Sequence, residues 1–349
     1  MWKRFRLFLG IYAGLTLVIS AGFLGRNDLQ QLKMLVVVDE AEWRATNEKN
    51  GIVELPFVIE LKSFTIEEYP SGKPKSFTSD ITVYTPNGEK KEAQIKVNKP
   101  LTVSGWKIYQ HSYDKTFGNL SRYSVFKIVK DPWLPVVYTG FFLIFAGTFY
   151  LLFLRFRFKT LKIRKITIVS LMGIFLFSCL IANVWFSPLR MRSLMPALQS
   201  IWFIPHVSMY ILAYSLLSVA VIYAIFLLIK KNNTEKLLQY MVFYDDLVYT
   251  GTVFLTSGIL IGAVWAKDVW GHYWSWDPKE TWAAITWLAF MFCIHFRHFK
   301  HEKIKPALLL LFFSYLLLQI CWFGVKYLPF LQEGSVHIYR NTGIYPTLL

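Results

Sequence analysis

The residues best suited to chemistry in this sequence form one tryptophan-rich stretch. Residues 270–287 read W-G-H-Y-W-S-W-D-P-K-E-T-W-A-A-I-T-W, with apolar runs on both sides. The polar centre and the flanking apolar runs place the stretch where a membrane meets water. Such a rigid aromatic surface suits a large flat ligand that packs against the tryptophan rings.

Three histidines are candidate ligands for that flat molecule. His206 and His337 lie on the predicted outer side of the membrane, before and after the stretch. His295 lies about 13 residues beyond Trp282 along a predicted helix, which is roughly 20 Å deeper. Imidazole is a common axial ligand of haem iron, and tryptophan faces pack against a porphyrin. The pattern therefore favours haem, with Lys279 suited to a propionate.

Simpler interpretations of these residues stay open. Tryptophans at a bilayer interface also form aromatic belts, and His206 alone is equally well explained as a polar group at a helix end. Residues 277–280 (D-P-K-E) are typical of a helix start, with Asp277 as N-cap and Glu280 closing a capping box. That cap is compatible with a ligand site, because it fixes where Trp276 and Trp282 point. Zinc is not favoured, since no H-x-x-x-H or H-E-x-x-H pair has its partners on one outer face.

Composition defines the class of protein. The 349 residues are 54% hydrophobic and 18% aromatic, with a mean hydropathy of +0.38, and several runs are long enough to cross a bilayer core of ~30 Å. The net charge of +16 does not indicate nucleic-acid binding, because the densest basic run, residues 155–165, lies between two apolar runs like a cytoplasmic loop. The three cysteines form no C-x-x-C pair, which excludes a c-type cytochrome and a thiol redox motif.

The apolar runs predict seven membrane-spanning helices, with the N-terminus inside and the C-terminus outside. We predict that the first is a retained helix rather than a cleaved signal peptide. The predicted spans are residues 7–24, 134–154, 166–186, 204–229, 247–266, 278–298 and 307–327. Three predicted loops carry the lysine and arginine clusters that set this orientation: residues 155–165, 230–246 and 298–305.

A polar segment between the first two predicted helices indicates a β-rich domain. Turn signals such as P-N-G at residues 86–88 separate its short apolar runs. The predicted strands are residues 53–61, 81–85, 93–97, 106–111 and 123–129. No catalytic group stands out in this domain, and His111 is predicted to be a surface or packed residue.

Residues 270–287 resemble the tryptophan-rich WWD signature of the haem-handling cytochrome c assembly proteins. With His206 before it, His295 followed by Arg297, and His337 after it, the layout of the C-terminal half resembles the CcsA (ResC) family of System II cytochrome c synthetases. Residues 81–149, with G-W-K-I-Y-Q-H-S-Y-D before a membrane helix, are similar to the end of the CcsB (ResB) family.

The resemblance implies an all-α polytopic membrane protein with an extracytoplasmic β-rich domain inserted after its first helix. Its parts are a transmembrane anchor, an extracytoplasmic ResB-like domain, a transmembrane helix and a CcsA-like haem-handling domain: residues 1–24, 25–132, 133–154 and 165–349. The family belongs in the bacterial cytoplasmic membrane. It binds haem b and presents it for thioether attachment to the C-x-x-C-H of apocytochrome c, as a holocytochrome c synthase (haem lyase) component.

The resemblance also implies roles for individual residues. His206 and His337 become the axial ligands of an outer haem, and His295 becomes one ligand of a deeper haem. The outer haem is held against the remaining site residues: Trp270, Trp274, Trp276, Asp277 and Trp282. The family takes a second deep histidine from a CcsB helix, but residues 7–24 and 134–154 contain none. The implied partners are apocytochrome c, haem, a CcsB/ResB-type subunit and thiol-reducing proteins.

Two other functions stay open at the level of the sequence. A haem exporter or haem chaperone without ligase activity shares the tryptophan signature, although the β-rich insert favours System II. A membrane transporter or scaffold with an aromatic belt is the alternative from another class. No pair of Gly/Pro-broken helices in corresponding positions supports solute transport.

Overall fold

The computed structural model describes residues 8–157, 173, 194–230 and 234–324. Six α-helices lie within these ranges: α1 Leu9–Leu24, α2 Leu134–Arg157, α3 Phe203–Ile229, α4 Thr234–Trp270, α5 Pro278–Phe299 and α6 Ile304–Gln319. A π-helical turn, Ile320–Gly324, continues α6. Five helices of this described part are long and apolar enough to cross a membrane: Leu9–Asn27, Leu134–Arg157, Phe203–Ile229, Glu235–Trp270 and Ile304–Gly324. The span predicted at residues 166–186 lies outside the described residues.

An eight-stranded antiparallel sheet lies between α1 and α2 in the chain, where the β-rich domain was predicted. Its strands are β1 Gln30–Val37, β2 Ala41–Thr46, β3 Ile52–Glu68, β4 Pro74–Tyr84, β5 Lys90–Lys96, β6 Leu101–Val103, β7 Trp106–Tyr113 and β8 Tyr123–Lys130. They lie in the order β5-β4-β3-β2-β1-β8-β7-β6. The sheet curls so that β5 contacts β6 and β7.

The sequence-based prediction missed three of these strands, β1, β2 and β6. β1 carries the alternation expected of a strand, because Leu32, Met34 and Val36 all point into the core of the sheet. β2 reads A-E-W-R-A-T, in which Ala41, Trp43 and Ala45 alternate with polar residues, but the strand is largely exposed and only Ala45 is buried. β6 is only three residues long and gives no periodic signal.

Glycines bring α1 and α2 into backbone contact. Gly10 and Gly14 are four residues apart on α1 and lie against Gly147 and Gly140 of α2. A Cβ atom on Gly14 would lie 2.6 Å from the carbonyl oxygen of Gly140, so no residue larger than glycine fits at position 14. Small residues at this spacing let membrane helices approach closely. The two helices on either side of the β domain therefore form one tight pair.

The prediction for α4 was wrong at its N-terminal end. Residues 230–246 were predicted as a loop, but α4 begins at Thr234 and runs for 37 residues. The lysines of this segment suggested a loop, but two aspartates in it are paired with arginines inside the protein. Asp245 accepts hydrogen bonds from Arg297 Nε at 2.9 Å and Nη2 at 3.0 Å, and Asp246 accepts from Arg155 Nε at 3.0 Å. Asp246 is fully buried, so its charge is compatible with a packed helix.

The β domain packs against one end of the helix bundle. Gln199, just before α3, donates to the carbonyl oxygen of Lys75 at 2.8 Å, and Lys267 near the end of α4 bonds Asp131 at 2.8 Å. We call this the β-domain end. The buried cluster of Arg155, Asp245 and Arg297 lies at the opposite end.

Candidate functional site

The tryptophan loop, residues 271–277, connects the end of α4 to the start of α5 at the β-domain end. Two of its residues have left-handed backbone conformations, Gly271 with φ +81° and Trp276 with φ +60°. A tryptophan rarely adopts that conformation, and such strain is concentrated at functional sites. Trp276 is 72% exposed, and its ring meets that of Trp274 edge-on at 5.8 Å. The loop thus presents a large aromatic ring to the outside of the fold.

The predicted N-cap at Asp277 is confirmed and fixes the end of this loop. The Asp277 carboxylate accepts a hydrogen bond from the Glu280 amide at 2.8 Å, and a proline occupies the first turn. The Glu280 carboxylate reaches back to the amide of Ser275 at 2.7 Å and to its hydroxyl at 3.1 Å. Both carboxylates are buried. Trp276 therefore lies between Ser275 and Asp277, whose hydrogen bonds to Glu280 fix the backbone on either side of it.

His206 lies in the first turn of α3 and is held by α4. Its Nδ1 lies 2.8 Å from the carbonyl oxygen of Gly258, so Nδ1 carries the proton and donates it. The ring lies against Gly262, where a Cβ atom would come within 2.5 Å of Cε1. The neutral imidazole in this tautomer has its lone pair on Nε2, which is the arrangement found in metal-binding histidines.

Trp265 links His206 to the tryptophan loop. Its ring centroid lies 5.6 Å from that of His206 and 5.1 Å from that of Trp270. The structure thus brings two predicted site residues, His206 and Trp270, into ring contact with a tryptophan that the sequence pattern did not single out. Its position five residues before the signature, inside an apolar helix, resembled ordinary helix packing.

His295 occupies the opposite end of the bundle. It lies 17 residues beyond Pro278 on α5, which is about 25 Å along the helix axis. Its Nδ1 donates to the Met291 carbonyl at 2.7 Å, and its Nε2 accepts from the hydroxyl of Tyr12. Phe8 stacks on the ring with centroids 4.0 Å apart. His295 and His206 are therefore two separate positions.

The remaining predicted residues are placed only in part. Trp282 lies in the second turn of α5 and is partly buried. His337 lies outside the described residues. Within the described ranges no three His, Cys, Asp or Glu side chains come together as a metal cluster.

The β domain packs against the start of the tryptophan loop. Lys127 Nζ on β8 donates to the Trp270 carbonyl at 3.0 Å. Burial lowers the pKa of Lys127 to about 8, with smaller contributions from Lys267 and Lys33. Burial also raises the pKa of Tyr109, whose ring packs beside Gly271. These contacts were not predicted, because the residue pattern of a strand does not show which distant loop the strand will contact.

Comparison with known families assigns the two parts of the chain. The family model described as cytochrome C assembly protein matches residues 133–332, and the ResB-like family model matches residues 9–121. These matches confirm the resemblance to both families. The ResB-like match includes α1, which the sequence analysis had not assigned to it, and α2 falls within the cytochrome C assembly match.

Several curated relatives are similar to the second part. The cytochrome c biogenesis proteins CcsA of Guizotia abyssinica and Helianthus annuus are each 40% identical over 181 residues, covering 39% of this chain and 56% of the relative. That of Chlamydomonas reinhardtii is 43% identical over 142 residues, covering 38% of this chain and 40% of the relative. The chain thus spans about half the length of the curated relatives it matches.

Proposed function

The chain belongs to the cytochrome c assembly protein family, and we propose that it binds haem beside the tryptophan loop and presents it to apocytochrome c. The observation that carries this proposal is the setting of His206. Its Nδ1 donates to the Gly258 carbonyl, so the imidazole is held in the tautomer whose Nε2 can ligate iron. Trp265 and Trp270 continue an aromatic surface from this ring toward the loop.

The residues around the loop suit a flat, amphipathic ligand. Trp276 offers an exposed ring, and Trp270, Trp274 and Trp282 contribute the surrounding aromatic surface. Asp277 fixes where the loop meets α5. We assign the second axial position to His337 and a propionate contact to Lys279. The ligand in this proposal is haem b.

The proposed reaction is thioether formation. Each cysteine thiol of a C-x-x-C-H segment adds across a haem vinyl group, so that sulphur bonds to one vinyl carbon and hydrogen to the other. No electrons are gained or lost overall. The porphyrin supplies the reactivity, and the protein contributes orientation of the haem edge and exclusion of competing geometries. This assigns the chain as a holocytochrome c synthase component.

The proposal includes an orientation in the membrane. The β domain and the tryptophan loop share one end of the bundle, and we place that end outside the bacterial cytoplasmic membrane, with the N-terminus in the cytoplasm. Apocytochrome c and the proteins that keep its thiols reduced would then approach from the β-domain side. Nucleic acid has no part in this function.

His295 is proposed as a ligand of a second haem at the opposite end, on the route from the cytoplasm. Ionisable residues at membrane depth are usually functional, and this one is bonded through both ring nitrogens. The second histidine that the family implies is missing from residues 7–24 and 134–154. A CcsB/ResB-type subunit is the proposed source of that ligand.

Absorption spectra of the purified protein test the haem proposal. We expect a bis-histidine haem spectrum in the wild type and a loss of intensity in His206→Gly and in His337→Gly, with recovery on adding imidazole. His301→Gly is the matched control, because its side chain is 58% exposed near the opposite end. A wild type without haem overturns the proposal, and unchanged spectra in both site variants overturn the ligand assignment.

Co-expression with an apocytochrome that carries C-x-x-C-H tests the ligase step. We expect covalent haem on the cytochrome that depends on His206 and His337. Haem that copurifies without any thioether product, with thiols kept reduced and a ResB-type partner supplied, would favour the haem exporter or chaperone. A protein that carries no haem at all leaves the transporter or scaffold as the remaining class.

A further inference from the structure

The last turn of α4, residues 267–270, is bonded to the rest of the protein at nearly every position. Lys267 donates to Asp131 at 2.8 Å, and Asp268 accepts from the indole nitrogen of Trp202 at 3.0 Å. The Trp270 carbonyl accepts from Lys127 at 3.0 Å. Lys267 is only 1% exposed although it carries a charge, so this turn is built into the interior.

Lys127 acts as a helix cap supplied by another domain. Trp270 is the last residue of α4, where carbonyl groups lack partners within the helix and the helix dipole is negative. A lysine ammonium placed there satisfies the carbonyl and suits the dipole. Its strand β8 is paired on both sides, to β1 and to β7, so the ammonium is presented from a rigid support.

The sheet also sets the direction in which the chain leaves α4. Gly271 has a left-handed conformation and lies so close to β7 and β8 that a Cβ atom would be 3.2 Å from the Tyr109 ring and 3.2 Å from a Val129 methyl. The loop therefore starts in contact with the β domain. The position of Gly271 is therefore set both by its own φ angle and by the side chains of Tyr109 and Val129.

The same turn determines the position of His206. Trp202, which bonds Asp268, is the residue before α3, and its carbonyl accepts from the His206 amide at 3.1 Å. Asp268 also faces Lys107 of β7 at 4.0 Å. A displacement of the turn would therefore move the tryptophan loop and the start of α3 together.

We propose that the β domain is an integral part of the haem site, with Lys127 as the positioning residue that sets the start of the tryptophan loop. This inference rests on the proposed function for its ligand, but the positioning of the tryptophan loop by Lys127 does not depend on haem. Lys127 contacts the Trp270 backbone and acts on haem through the loop. The β domain thereby controls how rigidly the site at the end of the helix bundle is assembled.

Hydrogen exchange on the full-length protein in detergent tests the positioning. Lys127→Met keeps the length of the side chain and removes the donor, and Lys33→Met is the matched control, since Lys33 lies directly opposite on β1 and is exposed. We expect amide exchange of residues 271–277 to rise about tenfold in Lys127→Met. We expect Lys33→Met to match the wild type and Lys127→Arg to restore protection.

Haem dissociation, measured by transfer to apomyoglobin, provides the second readout. We expect dissociation about tenfold faster in Lys127→Met, with Lys127→Arg close to the wild type. Unchanged exchange in the loop overturns the inference, whatever the haem does. Should Lys127→Met fail to fold, Lys127→Gln, which keeps a donor without charge, takes its place with a smaller expected increase. A wild type that binds no haem overturns the proposed function alone, because the exchange test needs no ligand.

Discussion

His206 and His295 occupy opposite ends of the bundle and are held in different ways. His206 on α3 donates to the backbone of a neighbouring helix, at Gly258, and lies on the flat surface left by Gly262. His295 donates to its own helix, at Met291, and accepts from Tyr12. The first position is made within the part that matches the cytochrome c assembly family, whereas the second requires α1, which belongs to the ResB-like match. Each end therefore depends on a different pair of helices.

The two ends also differ in charge. The turn near the tryptophan loop is tied to the β domain by lysines on a sheet, whereas the end near His295 contains a buried cluster of two arginines and two aspartates. Arg297, two residues beyond His295, bonds both carboxylate oxygens of Asp245 and the carbonyl of His301. Charge pairing inside the bundle thus orders the helix that carries His295, and cross-domain contacts order the loop.

The largest expected effect comes from breaking the charge cluster. Asp245→Asn leaves the buried Arg297 and the partly buried Arg155 without a full countercharge, so we expect a loss of about 3–5 kcal/mol in the free energy of unfolding. Thermal unfolding in detergent measures it. Glu42→Gln is the control, because Glu42 pairs with Arg44 on the surface of the β domain, where an ion pair contributes about 0–1 kcal/mol. Equal unfolding temperatures for the two variants would show that the cluster does not stabilise this end.

At the β-domain end, the strongest test is to fill the space beside His206. The Cβ of Gly262→Ala would overlap the imidazole, so we expect the ring to be displaced and haem affinity to fall more than tenfold. Gly251→Ala, on the same face of α4, is the matched control, since its Cβ would meet the side chains of Leu217 at 2.8 Å and Leu216 at 3.4 Å and not a histidine. Haem titration of both variants distinguishes a specific effect from general helix crowding. Equal affinities would contradict the placement of His206 in the site.

The sequence allowed some of this arrangement to be predicted, and the reasons are local. The cap at Asp277 and Glu280 was recognisable because capping depends on residues three positions apart. The Tyr12 contact with His295 was not, since a tyrosine in an apolar run has many uses and the packing of α1 on α5 is a tertiary property. The Lys127 contact with Trp270 joins residues 143 positions apart, and no periodicity reports such a pairing.

A smaller effect is expected from Tyr12 at the opposite end. Tyr12→Phe removes the hydroxyl that donates to His295 Nε2 while keeping the ring, and we expect a loss of about 1 kcal/mol in stability. Because the hydroxyl and iron compete for the same lone pair, haem binding that depends on His295 should increase a few-fold. Tyr150→Phe on α2 is the control, as that side chain is 52% exposed. Weaker haem binding in Tyr12→Phe would show instead that the hydroxyl supports the ligand.

The smallest effect concerns pH and separates the β domain from the bundle. Burial, with Lys33 and Lys127 nearby, lowers the pKa of His111 on β7 to about 4, below its ordinary value near 6.5. A depressed folded-state pKa means that the unfolded chain binds the proton first, so the contribution to stability is complete above pH 6.5 and is lost as pH falls toward 4. Since the ring is partly exposed, we expect on the order of 1 kcal/mol between pH 7.5 and 5. Protonation of His111 in the folded protein, near pH 4, would also add positive charge beside Lys127, so protection of the tryptophan loop should decrease as the pH approaches 4. His111→Gln should flatten both profiles while leaving the His295 end unchanged, and equal pH profiles for the variant and the wild type would exclude His111 as their source.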